Sequence, residues 1–265
     1  MPWITRGLQE GIVTSHYPRR PDGYGEDFHA GVTVRSESAG QGGRTGEIDA
    51  VVTACPTGAL SLDRGKVSID RGRCIVCERC VVSRPDVFIS QSDIETATLR
   101  RTHLVSPARP DGDDDIANTR KELAKRVRAL RRSVHIRHLD CGSDGAEEWE
   151  IAALTNPIYD IQRLGVFFTA SPRHADLLLV TGAGAAGMLG PLALTYEAMA
   201  NPKIVMAVGT DAVSGGLFAN TYATRGGIGS SVEVDVFVPG SPPSPFSIMH
   251  GILLAIDLLP EKRMP

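Results

Sequence analysis

From residue 134 onward the chain repeats one pattern: a near-continuous apolar run, a turn containing Gly or Pro, then helical periodicity. The runs are Val134–Leu139, Val166–Thr169, Asp176–Thr181, Ile204–Gly209 and Val234–Pro239. Helices are expected between and after them at Trp149–Leu154, Ile158–Leu164, Leu189–Met199 and Ser244–Leu259. Apolar strands alternating with helices predict a doubly wound α/β unit over residues 134–265, its parallel sheet covered on both faces. The apolar side of the last helix, with Met249, Ile252, Leu253, Ile256 and Leu259, suits either this core or a neighbouring subunit.

The first half reads differently. Short strands are expected at Val32–Val34, Ala59–Leu62 and Lys66–Ile69, the last two joined as a hairpin through Asp63-Arg64-Gly65, with a short helix over Ile48–Ala54. These make residues 31–105 a small α+β unit. Residues 1–30 are broken by Pro and Gly around Tyr17–Tyr24 and read as an extended arm, which Trp3, Tyr17 and Tyr24 would lay across a partner subunit. A linker and basic helix fill residues 106–133. Ser106–Asp115 combines breakers with acids, and Asn118–Arg132 carries seven basic residues with Leu123, Val127 and Leu130 on one side. That basic face suits an acidic partner or lipid head groups, but charged faces usually meet only water, and the solvated reading is preferred.

Composition narrows the choices. At 265 residues the chain has room for two domains, and a net charge of −3 argues against nucleic-acid binding as the main task. No apolar run reaches the roughly 18 residues of a membrane span. Met1–Gly7 lacks the pattern of a signal peptide, so an intracellular protein is expected.

Candidate chemistry starts with the cysteines. Four of the five stand at Cys55, followed by Pro56, and at Cys74, Cys77 and Cys80. Three cysteines at C-x-x-C-x-x-C spacing with a remote Cys-Pro read as the thiolate set of one 4Fe-4S cluster. All-thiolate zinc is the weaker alternative and disulfides a weaker one still. The stretch from Asp49 to Asp86 resembles a bacterial-type ferredoxin domain. That resemblance implies that Cys55 joins Cys74, Cys77 and Cys80 on the same cluster. It also places the ligands of a second cluster at Thr45, Ile48, Val51 and Arg84, where every sulfur is gone although Pro85 keeps the frame.

A second resemblance covers about Val134 to Leu259. Asn156–Asp160, Ser171–Gly182, Met206–Gly209, Ser214–Gly216 and Val238–Gly240 resemble, in order, strings of the small subunit of group 4 membrane-bound nickel–iron hydrogenases, the formate hydrogenlyase type included, and of the B subunit of complex I. The resemblance implies a flavodoxin-like parallel sheet domain, here preceded by the small ferredoxin-like domain. It also implies a proximal 4Fe-4S cluster beside a catalytic large subunit. The positions that match the family's four cluster cysteines are Asp144, Glu147, Asp211 and Ser241, so no cluster is expected there. Cys141 is read as a small buried hydrophobe rather than a remnant ligand. The acids suit a hard cation, a proton path, or simple pairing with Arg side chains or water, the last being preferred.

Two further strings stay open or weak. Arg173 and His174 could line the large-subunit interface or merely set a turn. Gly182–Gly187 spells G-x-G-x-x-G, but no acidic residue follows at the interval a dinucleotide site requires, and no nucleotide is expected.

The expected function is therefore that of a single-cluster 4Fe-4S subunit, not catalytic alone, in electron transfer or redox sensing. It would sit peripherally on the cytoplasmic side of the cell membrane, with a hydrogenase-like or complex I-like large subunit and membrane subunits as partners. The alternative is a non-redox scaffold between those subunits. A stand-alone ferredoxin–flavodoxin fusion is a poor third.

Overall fold

The structure, a computed structural model, describes residues 2–20, 23–35, 45–107, 113–128, 133–219 and 221–259. The expected linker residues 108–112, the end of the basic helix at 129–132, and Pro21 and Asp22 lie outside them.

Five parallel strands form the main sheet: β6 (Val134–Asp140), β7 (Val166–Phe168), β8 (Leu177–Thr181), β9 (Ile204–Val208) and β10 (Val236–Val238). Upstream of them lie β1 (His29–Val34), β2 (Leu60–Asp63), β3 (Lys66–Asp70), β4 (Phe88–Ser92) and β5 (Val105–Ser106). The helices are α1 (Pro2–Glu10), α2 (Thr45–Thr53), α3 (Arg79–Ser83), α4 (Asp113–Val127), α5 (Ala146–Ala153), α6 (Leu189–Ala198), α7 (Thr210–Ser214) and α8 (Pro245–Ala255).

The order β10-β9-β8-β6-β7 is, counted within the sheet, 2-1-3-4-5, the flavodoxin-like winding. All its pairings are parallel, as the apolar runs predict. Successive residues of β8 serve opposite faces. Leu177 and Leu179 join the core under α5 and α8, while Leu178 and Val180 join the one under α6 and α7. Every residue of α8 is buried, so the apolar side left open in the sequence packs inside this chain. Ser244 caps its start, accepting from Ser247 N at 3.2 Å.

The first half holds two small antiparallel sheets, β1-β4 and β2-β3-β5. Arg64 and Gly65 both take positive φ at the expected hairpin turn, where a two-residue primed turn matches strand twist. Ile48, Leu60, Val67, Ile69, Val87 and Phe88 form a separate small core.

Three expectations need correction. Residues 2–10 are helical rather than extended: Pro2 is tolerated at the first helical position, Trp3, Ile4 and Leu8 fall on one side at helical spacing, and apart from Gly7 the breakers begin at Gly11. Tyr17 does not lie across a partner; it is 2% exposed, set edge-on to Phe246 at 5.7 Å, and its carbonyl accepts from Arg163 Nη2 at 2.6 Å. Residues 158–164 form only a short 3-10 turn at Ile161–Leu164, because Asn156 Oδ1 captures the Ile158 amide and Asp160 and Gly165 both take positive φ.

The two halves are joined by backbone. Thr98 pairs antiparallel with Phe237 at the β10 edge, with N–H···O distances of 2.9 and 2.8 Å, and Ala97 N donates to His250 Nδ1 at 3.1 Å. The basic helix is also tied inward. Leu123 and Val127 are buried in the α/β core, Arg120 bonds Asp257 at 3.0 Å, and Arg126 pairs with Asp235.

Candidate functional site

Two sites meet where the halves touch. In the first, Cys55, Cys74, Cys77 and Cys80 line one cavity of about 90 Å³ together with Val32, Val51, Leu60 and Ile69. Cys55 follows α2, and Cys80 stands in the first turn of α3. Between the three closely spaced cysteines the backbone turns sharply, with Val76 at φ 52 and Glu78 at φ 57. A β-branched residue rarely adopts that conformation, and it persists only where surrounding structure enforces it.

Burial raises the Cys74 thiol pKa, and the charges of Cys55 and Cys77 raise it further. Burial and the charges of Cys74 and Cys77 push Cys80 up to about 11. Four thiolates in this setting repel one another and need a compensating positive charge at their centre. An all-sulfur donor set with apolar walls fits an iron–sulfur cluster. Among the described residues, no group of three or more His, Cys, Asp or Glu has the arrangement that holds a single metal ion.

Where a second ferredoxin cluster would have its ligands, the small core is closed by carbon. Ile48 is 8% exposed within that core and Val51 packs against it. Arg84 is fastened to Asp86 at 2.6 Å and to Glu47 at 3.3 Å.

The second site lies at the carboxyl ends of the parallel strands, near the crevice between β6 and β8 where the strand order reverses. The loops after β6 and β8 meet backbone to backbone. A Cβ on Gly182, whose φ is +83, would stand 2.5 Å from Gly142 C and Ser143 N. Asp144 is exposed in the loop after β6, Glu147 is 2% exposed in the first turn of α5, and Asp211 is half-buried in α7.

These three acids come together. Burial, then the charges of Asp211, Asp144 and Glu148, push Glu147 up to about 7 against a backbone hydrogen bond that lowers it. Burial and Asp144 also raise Asp211. None of the three bonds to a basic side chain among the described residues, so the expected pairing with Arg is not found there. Glu147 Oε2 is buried without a hydrogen-bond partner. Ser241 is exposed in the neighbouring loop, which Thr210 N joins by bonding Gly240 O at 2.7 Å.

A polar network beside the acids went unread in the sequence. Glu148 Oε1 accepts from Thr181 Oγ1 at 2.5 Å, Glu148 Oε2 accepts from Ser143 Oγ at 2.6 Å, and His138 Nε2 lies 3.1 Å from Thr181 Oγ1. Burial lowers the His138 pKa although Glu148 and Asp140 oppose the shift. Cys141 is fully buried in the apolar cluster under α6, its thiol pushed up to about 11 by burial. The two sites adjoin at α7, where Thr210 Oγ1 donates to Cys74 O at 3.0 Å.

Of the two weaker strings, Arg173 and His174 are exposed in a tight turn closed by Ala175 N bonding Pro172 O. In the G-x-G-x-x-G stretch, the amides of Ala183, Ala185 and Ala186 already donate to Gly142, Cys141 and Ala223 carbonyls, leaving them unavailable to a phosphate.

Residues 144–255 match the family described as NADH ubiquinone oxidoreductase, 20 Kd subunit. The chain is 37% identical over 150 residues to formate hydrogenlyase subunit 7 of Escherichia coli, covering 57% of this chain and 58% of that protein. It is 42% identical over 144 residues to the probable membrane-bound hydrogenase subunit mbhJ of Pyrococcus furiosus, covering 53% of this chain and 86% of that protein. Among solved structures, the membrane-bound sulfane sulfur reductase, an archaeal respiratory membrane complex, matches 49% of this chain and 72% of that chain at 30% identity and a TM-score of 0.44. The chain spans only 58% of formate hydrogenlyase subunit 7, but with its parallel sheet and a relative at 42% identity covered over 86% of its length, this chain belongs to the 20 kDa subunit family shared by membrane-bound hydrogenases and complex I-like enzymes.

Proposed function

We propose that this chain is the iron–sulfur subunit of a membrane-associated complex of the hydrogenase or complex I type. It carries one 4Fe-4S cluster on Cys55, Cys74, Cys77 and Cys80 and none at Asp144, Glu147, Asp211 and Ser241. The observation that carries this reading is the convergence of four cysteines, two of them with raised thiol pKa values, on one apolar-walled cavity. Oxygen donors at the other site argue against a second cuboidal cluster.

Residues 31–105 form the ferredoxin-like domain and residues 134–265 the 20 kDa-type domain, with residues 1–30 and 106–133 flanking and joining them. The partners are a hydrogenase-like or complex I-like large subunit and membrane subunits, which put this chain peripherally on the cytoplasmic side of a membrane. No helix among the described residues is long and apolar enough to cross a membrane.

When bound, the cluster supplies one-electron exchange. The chain's residues do the rest. Val32, Leu60 and Ile69 wall the inner side of the cavity, Cys77 faces solvent on the outer side, and the αL turns at Val76 and Glu78 hold the sulfurs around the cavity. Thr210 anchors the Cys74 carbonyl to the α/β domain. With no thiolates at Asp144, Glu147, Asp211 and Ser241, a cluster held by the four cysteines would serve electron exchange by a route other than the family's usual one, or redox sensing.

The test is iron and acid-labile sulfide per chain on anaerobically purified protein, with EPR after reduction, beside Cys74→Ser. About four of each, and one reducible signal that the variant loses, is the expected result. About eight of each would return a cluster to the oxygen-donor site and overturn the reading. Zinc without sulfide would put the second reading in front, a non-redox scaffold joining large and membrane subunits, which the unpaired acids of the α/β domain favour.

A further inference from the structure

The three acids at the strand ends pose a charge problem that the cluster reading leaves unsolved. Glu147 is 2% exposed, its carboxyl lies against Gly209, where a Cβ would come within 2.8 Å of Glu147 Cδ, and its Oε2 has no hydrogen-bond partner. Asp144 and Asp211 add negative charge, and no Lys, Arg or His bonds to any of the three among the described residues. A buried carboxylate with no cation beside it and one oxygen without a donor is costly to keep ionised, and the single backbone hydrogen bond it accepts does not offset that cost, so such a group holds a proton.

The position of this group gives the proton a use. Gly209, against which the carboxyl rests, precedes Thr210, and Thr210 Oγ1 bonds the Cys74 carbonyl at 3.0 Å. One Cα–Cα step and one side chain therefore separate Glu147 from the cysteine loop, about 10 Å in all. At an effective dielectric of about 20, a unit charge arriving at that distance changes proton affinity roughly tenfold.

We propose that Glu147, with Asp144 and Asp211, forms a proton-binding site coupled across Thr210 to the charge of the four-cysteine centre. The proposal rests on the cluster reading above. An electron held at that centre, supplied by a one-electron donor, would raise the trio's affinity for one proton taken from solvent through exposed Asp144, and a one-electron acceptor that removed the electron would let the proton return to solvent. Beyond the trio, the charge that reaches Glu147 is that of Glu148, while Glu150 lies a turn further along α5 and Glu78 and Arg79 line the cysteine cavity. Glu148, on the same helix, is held by Thr181 and Ser143 and lies 3.4 Å from His138 Nε2. Asp140 caps the amides of Gly142 and Ser143, and His250, the one ionisable side chain of α8, accepts from Ala97 N.

The experiment is an EPR-monitored redox titration of the full, anaerobically purified chain with viologen mediators, from about pH 5.5 to 9.5, a span that lies above the ordinary carboxyl range and brackets the raised value of about 7. Added negative charge favours protonation, so reduction is easier at low pH and the midpoint potential falls as pH rises. The fall is confined to a window of about one pH unit near neutrality and equals a roughly tenfold change in the electron equilibrium, because linkage is reciprocal. Glu147→Gln removes the step at unchanged iron content, and Glu147→Asp restores a displaced one. Should Glu147→Gln fail to accumulate, Asp211→Asn serves, moving the step to lower pH.

A reducible signal with a flat profile in the wild type, or the same step in Glu147→Gln, overturns the proton site alone. Absence of any reducible iron signal overturns the cluster reading and the coupling with it.

Discussion

Replacing Glu147 with Gln should make the protein more stable, and only at neutral and alkaline pH. The carboxyl moves from its ordinary 4.5 to about 7 on folding, chiefly through burial. That difference corresponds to about 3 kcal/mol between its two protonation states. Because the folded value is the higher one, the stabilisation is fully present below about pH 4.5 and is lost as pH rises through about 7. Gln is close in size and neutral throughout, so near pH 5 the variant and the wild type should melt together. By about pH 8.5 the variant should be ahead by about 3 kcal/mol, or about 6–12 °C in a chain of this size. The assay is differential scanning of both proteins, anaerobically, at matched scan rates and stepped pH. Groups common to both proteins cancel in the difference, so its pH dependence isolates Glu147. A difference that stays constant with pH, or a variant less stable at high pH, would refute the claim that this carboxyl is buried among like charges without a cation.

Two other substitutions probe the frame around the sites. Burial pushes His250 down to about 4 from its ordinary 6.5, so the stability tied to its neutral form is present above pH 6.5 and lost as pH falls towards 4. His250→Gln, whose amide oxygen can still accept from Ala97 N, should abolish a loss of about 3 kcal/mol in acid, read by urea denaturation between those limits. Gly182→Ala places a methyl 2.5 Å from the Gly142 and Ser143 backbone at φ +83, and should cost more than about 2 kcal/mol and lower the melting temperature at every pH. A melting temperature equal to that of the wild type would mean that the two loops are not in contact.

How much was legible in advance divides by the range of the interaction. The β8 run Leu177–Thr181 is apolar at every position because both faces of its sheet are covered, so the strand and its parallel pairing could be read from local pattern. β4 was missed because Phe-Ile-Ser-Gln-Ser looks like a turn until β1 lies beside it. Helix α1 was missed for a different reason: Gly7 and the breakers from Gly11 onward outweighed a short stripe with nothing packed beneath it. Glu148, Thr181 and His138 come from three segments up to 43 residues apart, and no spacing rule joins them.

The same contrast explains why the acids were legible as positions and not as chemistry. Resemblance to a family puts Asp144, Glu147, Asp211 and Ser241 where cysteines stand in that family, but substitution at a ligand position says only what is missing. Whether an acid there pairs with Arg, binds a cation or keeps a proton depends on which groups reach it from elsewhere. The structure brings Asp211 and Asp144 towards Glu147, and no basic side chain among the described residues bonds to any of them. Thr210 then connects that trio to Cys74, a contact between residues 136 positions apart. A cavity filled by carbon is one way to close such a position, as Ile48 and Val51 pack in the small core of the first half. At the strand ends the side chains at the proposed positions, Asp144, Glu147 and Asp211, are ionisable instead, and under the proposal above Glu147 meets its burial by holding a proton.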